Sequence, residues 1–113
     1  MESALVLEWR PAPTGGAMLK PALKADLDGF LEKAKADGRV TSSEWLVSGK
    51  GDRLFLIIHG PSDAVGRLTK DSALIYIKTM IQVSHADFHW SVCASGSTVD
   101  TMLAVQEAAM AAG

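Results

Sequence analysis

Residues 42–59, SSEWLVSGKGDRLFLIIH, constrain the fold more than any other stretch of the chain. Two runs rich in β-branched, aromatic and leucine side chains, 42–48 and 53–59, flank GKGD, a glycine-containing loop of hairpin length. In the first run Trp45 and Val47 alternate with Glu44, Leu46 and Ser48; in the second Leu54, Leu56 and Ile58 alternate with Phe55, Ile57 and His59. Successive strand residues point to opposite faces, so the pair predicts an antiparallel hairpin with one apolar face and one mixed face. A hairpin of two strands is marginal in water. It needs more strands, and its apolar face needs a cover.

The rest of the chain supplies both. Residues 3–10, SALVLEWR, alternate as a strand, and Pro11 and Pro13 end it before a flexible TGG at 14–16. From Met18 the spacing becomes helical: Leu23, Leu27, Phe30, Leu31 and Ala34 share one side, Pro21 suits the first turn and Gly38 is a stop, which predicts a helix to about Asp37. GPSD at 60–63 predicts a turn and an N-cap, Ser62 or Asp63, for a helix bearing Val65 and Leu68. A break near Lys70 to Ser72 then allows Asp71 or Ser72 to cap a second piece carrying Leu74, Ile75, Ile77, Met80 and Ile81; the helix is preferred, although its β-branched residues also suit a strand. VSHADFHWSV, 83–92, reads as a strand with every second residue polar. GSTVD at 96–100 opens an alanine-rich helix with Val99, Met102, Leu103, Gln106 and Met110 along one side, adaptable contacts suited to covering a sheet edge of this subunit or of a partner.

Strand, helix, strand, strand, helix, strand is the order of the ferredoxin-like sandwich, an α+β fold with helices on one face of a four-stranded antiparallel sheet. Here residues 1–113 form one such domain with an extra C-terminal helix. The block GFLEKAKADGRVTSSEWLVSGKGDRLFLIIHGPSDAVGRL, residues 29–68, resembles small bacterial proteins of the dimeric α/β-barrel superfamily. The matching pattern is a helix ending in a glycine-containing turn, a strand with an acidic residue, a hairpin, and a strand ending in glycine. That superfamily includes ring-modifying monooxygenases, muconolactone-type isomerases and YCII-related proteins. The resemblance therefore implies a homodimer whose two sheet faces enclose a cavity, and leaves the activity open.

Charge and hydropathy narrow the partners. The 11 basic and 13 acidic residues are dispersed, with a net charge of -2 and no Lys or Arg run able to track phosphates, which argues against nucleic acid. The longest mainly apolar segment, ALIYIKTMIQV at 73–83, is broken by Lys78 and Gln82 and falls short of the roughly 20 residues that span a bilayer. MESALVLEW carries no basic leader, and the single Cys93 cannot form an internal disulfide, so a cytoplasmic protein is expected.

Candidate site residues follow from strand parity. With Leu5, Leu7, Trp9, Trp45, Val47, Leu54, Leu56, Ile58, Phe88 and Trp90 turned to the helices, the other face carries Val6, Glu8, Arg10, Glu44, Leu46, Ser48, Phe55, Ile57 and His59, with His85, Asp87, His89 and Ser91 from the last strand. All three histidines fall on that face, and histidine titrates nearest neutrality. His59 and His89 are the candidate acid–base pair, oriented by Asp87 and Glu44, while Glu8, Arg10, His85, Phe55 and Ser91 would line a ligand site. A metal held by Asp87 and His89 with His59 or Glu44 is the lesser reading, because residues two apart on a strand stand roughly 6.6 Å apart and four apart roughly 13 Å. No cofactor is named by these residues. Two functions compete: a homodimer holding a small aromatic or amphipathic molecule between helices and sheet face, with cofactor-independent isomerase or oxygenase chemistry, and a non-catalytic interaction or ligand-sensing module whose polar face is a wet interface.

Overall fold

The computed structural model describes residues 1–12 and 16–112; the expected stop at Pro13 and the turn at 14–15 lie outside them. Strand β1 (Glu2–Arg10) leads to helix α1 (Pro21–Ala36), followed by β2 (Ser42–Val47), β3 (Leu54–Pro61), α2 (Ser62–Leu68), α3 (Ser72–Ser84), β4 (Ala86–Ser95) and α4 (Ser97–Ala112). The four strands make one antiparallel sheet in the order β2-β3-β1-β4. This is the ferredoxin-like α+β sandwich, with β2 and β4 as edges.

One sheet face meets α1, α2 and α3 in a single core. Leu5, Leu7 and Trp9 of β1 and Leu54, Leu56 and Ile58 of β3 pack with Leu23, Leu27, Phe30, Leu31 and Ala34 of α1, Val65 and Leu68 of α2, and Leu74, Ile77 and Ile81 of α3. Trp45, Phe88 and Trp90 pack at its border, and the Trp9 indole N–H donates to the Met18 carbonyl at 2.6 Å. These side chains occupy the space between helices and sheet, so a ligand held there is not what this face offers. An open hollow of about 440 Å³ lies on the outer side of the helices, where Phe30 and Lys33 of α1 meet Tyr76 and Ile77 of α3.

Local chemistry explains the joints. Asp71 caps α3 by accepting from the N–H groups of Ala73 and Leu74, and Arg39 clamps the same carboxylate at 2.8 Å. By contrast, neither Ser62 nor Asp63 caps α2 with its side chain; the Ser62 hydroxyl instead pairs with the Ser3 hydroxyl at 2.7 Å. Gly60, next to last in β3, leaves no room for a side chain, since a Cβ there would stand 2.6 Å from the Arg39 carbonyl oxygen. The helix expected over 73–83 forms and runs on through Val83 and Ser84, which the alternating pattern had assigned to the last strand. No helix among the described residues is long and apolar enough to cross a membrane.

Candidate functional site

The face away from the helices carries Val6, Glu8 and Arg10 of β1, with Phe55, Ile57 and His59 of β3 and His89, Ser91 and Cys93 of β4 as their cross-strand partners or neighbours. Ser42, Glu44 and Leu46 of β2 join them through His59, Ile57 and Phe55. Parity alone therefore assembles this surface, and the hairpin residues fall as expected.

The last strand departs from parity at one point. Glu8 lies opposite His89, yet Arg10 lies opposite Ala86, so β4 carries one extra residue between them. Asp87 takes that place with φ at 51°, a left-handed conformation that few non-glycine residues adopt. The bulge reverses the facing of everything before it. His85 consequently leaves the polar row: it is 8% exposed, ends α3 with its N–H donating to the Ile81 carbonyl at 2.8 Å, and sets its ring edge against Trp9 at 6.5 Å between centroids. Burial holds the His85 ring below the ordinary histidine pKa, the backbone at Ile81 opposes that shift, and the charge of Lys20 adds to it. The ring Nδ1 shares a 2.8 Å hydrogen bond with the Ser84 hydroxyl.

The remaining candidates divide into two clusters. In the first, His59 Nε2 stands 3.6 Å from a Glu44 oxygen, and His59 lines a hollow of about 230 Å³ with Glu2, Thr41, Ser42 and Gly60. Between His59 and Cys93 lies Ala4, only 4% exposed, a small floor under two larger neighbours. In the second cluster Arg53 reaches Glu8 at 3.4 Å, Glu8 stands opposite His89, and Arg10 meets Asp87 at 3.6 Å. Charges alternate along this end of the sheet, which suits a polar ligand group of either sign.

Register sets the distance between the clusters. His59 lies opposite Ala4 and His89 opposite Glu8, on strands either side of β1, which puts their Cα atoms on the order of 16 Å apart. The two histidines cannot act on one bond within one protomer. Among the described residues no group of three or more His, Cys, Asp or Glu side chains is placed to hold a metal ion, and the set of Asp87, His89 and His59 is split by the same distance. Arg53, Thr41, Ser42 and Glu2 complete the two clusters and were not among the candidates. Arg53 shares the parity of Phe55, Ile57 and His59 and was readable from it, whereas the hollow beside His59 depends on tertiary approach.

No family model matches the chain, and no curated protein sequence does. Solved structures do match in fold. Rv0793 from Mycobacterium tuberculosis superposes with a TM-score of 0.64 at 17% identity over 85% of this chain and 96% of that one. SnoaB, a cofactor-independent oxygenase from Streptomyces nogalater, gives 0.61 at 12% identity over 83% and 92%. A dimeric protein of unknown function and ferredoxin-like fold from Bacteroides fragilis gives 0.59 at 8% identity over 83% and 96%. At these identities the likeness is one of fold, and it places the chain among ferredoxin-like α+β structures.

Proposed function

We propose that this chain is a homodimer that binds a small organic molecule on the covered mixed face, with His59 and His89 moving protons in separate halves of the site. The observation that carries the reading is the composition of that face: Val6, Leu46, Phe55 and Ile57 interleaved with His59–Glu44 and with Glu8–His89, apolar area beside titratable groups. A sheet face of this kind is uncomfortable in open water, and a second copy is the economical cover. The SnoaB and Bacteroides fragilis likenesses support cofactor-independent oxygenase chemistry and a dimer, respectively. The free exposed thiol of Cys93 fits a reducing, cytoplasmic compartment.

Proton transfer by either histidine requires its neighbour. Glu44, 3.6 Å from the His59 ring, would orient it toward a ligand on this face. Glu8, shared between Arg53 and the His89 row, and Asp87, held by Arg10, would fix the polar end of a ligand whose apolar body lies on Phe55 and Ile57. The distance between His59 and His89 also supports a second reading, a non-catalytic dimer whose polar groups are interface hydrogen bonds.

Native mass spectrometry of freshly purified protein, set against its denatured mass, tests both. A dimer carrying an organic mass that leaves on denaturation, and that H59Q or H89Q fails to retain, is the expected result. A dimer with no added mass and no sensitivity to either glutamine supports the interaction module; a monomer removes the covered face and the function with it.

A further inference from the structure

Among the described residues, apolar side chains stand exposed at both edges of the sheet as well as on the outer side of α3, at Tyr76 and Val83. At one edge stands β2, whose Leu46 and Val47 are 45% and 56% exposed and point to opposite faces. An edge strand with bare apolar residues on both sides and open backbone groups invites pairing, and native proteins cover such edges. At the other edge β4 leads into α4, sixteen residues of which Thr98 alone is buried. Val99, Met102, Leu103 and Met110, which share one side of this helix, all stand exposed.

Only the root of α4 is anchored. Thr98 accepts a hydrogen bond from the Glu2 N–H at 3.0 Å, and the Glu2 carboxylate packs against Gly96, whose φ of 55° turns the chain out of β4. Glu2 shares strand parity with Val6 and Glu8, so the helix leaves the sheet from the mixed face. Beyond that root it touches nothing of its own chain that buries it. The radius of gyration, 16.1 Å, records the projection, since a compact domain of this length is close to 13 Å.

We infer that α4 is an exchanged arm: its apolar side docks along the β2 edge, at Leu46 and Val47, of a second copy of this chain, and the second copy returns its own arm. The inference rests on the dimeric reading above and specifies how that dimer is held. Area favours this occupant. A mixed face of four strands by about eight residues has a flat footprint of about 500 Å² per protomer, so on its own it gives at most an interface of standard size, roughly 800 Å² of accessible surface per partner. A helix of sixteen residues about 24 Å long adds a footprint of about 250 Å² as arm and as much again as landing surface, which about doubles the contact of each protomer. Reciprocal exchange across one two-fold axis also closes the assembly, leaving neither arm nor β2 edge free to recruit a third copy.

The test is the dissociation constant of the dimer, by analytical ultracentrifugation, for the full chain and for the M102E/L103E double variant. These residues contact none of the chain's own core, so the variant keeps its fold, checked by the near-ultraviolet dichroism of the tryptophans. Weakening of at least about tenfold is expected. A dimer of unchanged affinity overturns the arm and leaves the dimeric reading standing; a full chain that is monomeric at tens of micromolar overturns both. Where the arm lands is read separately, with a nitroxide on A108C in a C93S background, on the far side of α4, mixed with isotope-labelled unmodified chain. Broadening of the Leu46 and Val47 amides of the labelled chain is expected, and a labelled chain whose Leu46 and Val47 amides stay sharp in the mixed dimer overturns the exchange.

Discussion

The two faces of this sheet are written by the same strands, residue by alternate residue, and they come to opposite ends. Leu5, Leu7, Trp9, Leu56 and Ile58 have no exposed surface, whereas Val6, Phe55 and Ile57, their immediate neighbours in sequence, remain half-buried beside charged groups. Helices from the same chain close the first face. No helix of the chain closes the second, and under the proposed function a second copy would finish it; its residues carry both the apolar area and the titratable groups of the proposed site. What separates the faces is therefore who completes them, and each can be perturbed without the other.

The largest contrast comes from neighbouring truncations. Leu7→Ala removes a fully buried side chain from the closed face and is expected to cost about 3 kcal/mol by chemical denaturation. Val6→Ala, one residue away, should cost less than about 1 kcal/mol at concentrations where the protein is monomeric. If the two costs converge as protein concentration rises, the mixed face has acquired a cover in solution; if they are equal even in dilute protein, Leu7 and Val6 do not face opposite sides of β1.

A smaller effect separates the faces at the bulge. Asp87 tolerates φ of 51° better than a β-branched residue would, so Asp87→Val should destabilise by about 1–2 kcal/mol, while Asp87→Gly should be neutral or gain about 0.5 kcal/mol despite losing the partner of Arg10. Thermal unfolding reads both. A valine that costs nothing would mean that β4 runs without the extra residue and that His85 rejoins the polar row.

How much was legible in the sequence follows from the same bulge. Parity placed the hairpin and β1 correctly because their alternation is unbroken from Leu54 to His59 and from Leu5 to Arg10. The order of elements, the ferredoxin-like sheet and the division of α2 from α3 at Asp71 were all readable, since periodicity and a capping carboxylate are local signals. His85 was not, because one additional residue in β4 changes no side-chain pattern and yet reverses every facing before it. The separation of His59 from His89 was hidden for another reason: facing is a property of one strand, whereas distance along the sheet depends on the register between strands.

His85 yields a third and weaker contrast, visible as a slope against pH. Burial lowers its pKa in the folded protein, so the unfolded chain binds the proton first. Above the ordinary histidine value of 6.5 both states are neutral and the residue contributes no pH dependence. As the pH falls below 6.5 the folded state loses stability, and the loss continues until the folded ring also titrates. The stability difference between wild type and His85→Asn should be flat above pH 7 and move against wild type on acidification to about pH 5. A flat difference throughout would place the ring in water with its former row.

The smallest expected effect bears most directly on the open face. His59 and Glu44 are both substantially exposed in the protomer, and 3.6 Å between Nε2 and the carboxylate is an ion pair without a good hydrogen bond. Their coupling in a double-mutant cycle with H59Q and E44Q should therefore be about 0.5 kcal/mol at acidic pH, vanish once His59 is neutral, and shrink in salt. Those numbers describe a solvated surface. In the assembled protein the same pair would lie under a partner, where water no longer screens it, and removing one member would strand the other; coupling of about 2 kcal/mol that resists salt is then expected. The cycle, measured on either side of the dimer's dissociation constant, thus reports through two side chains whether the face beside His59 is wet or closed.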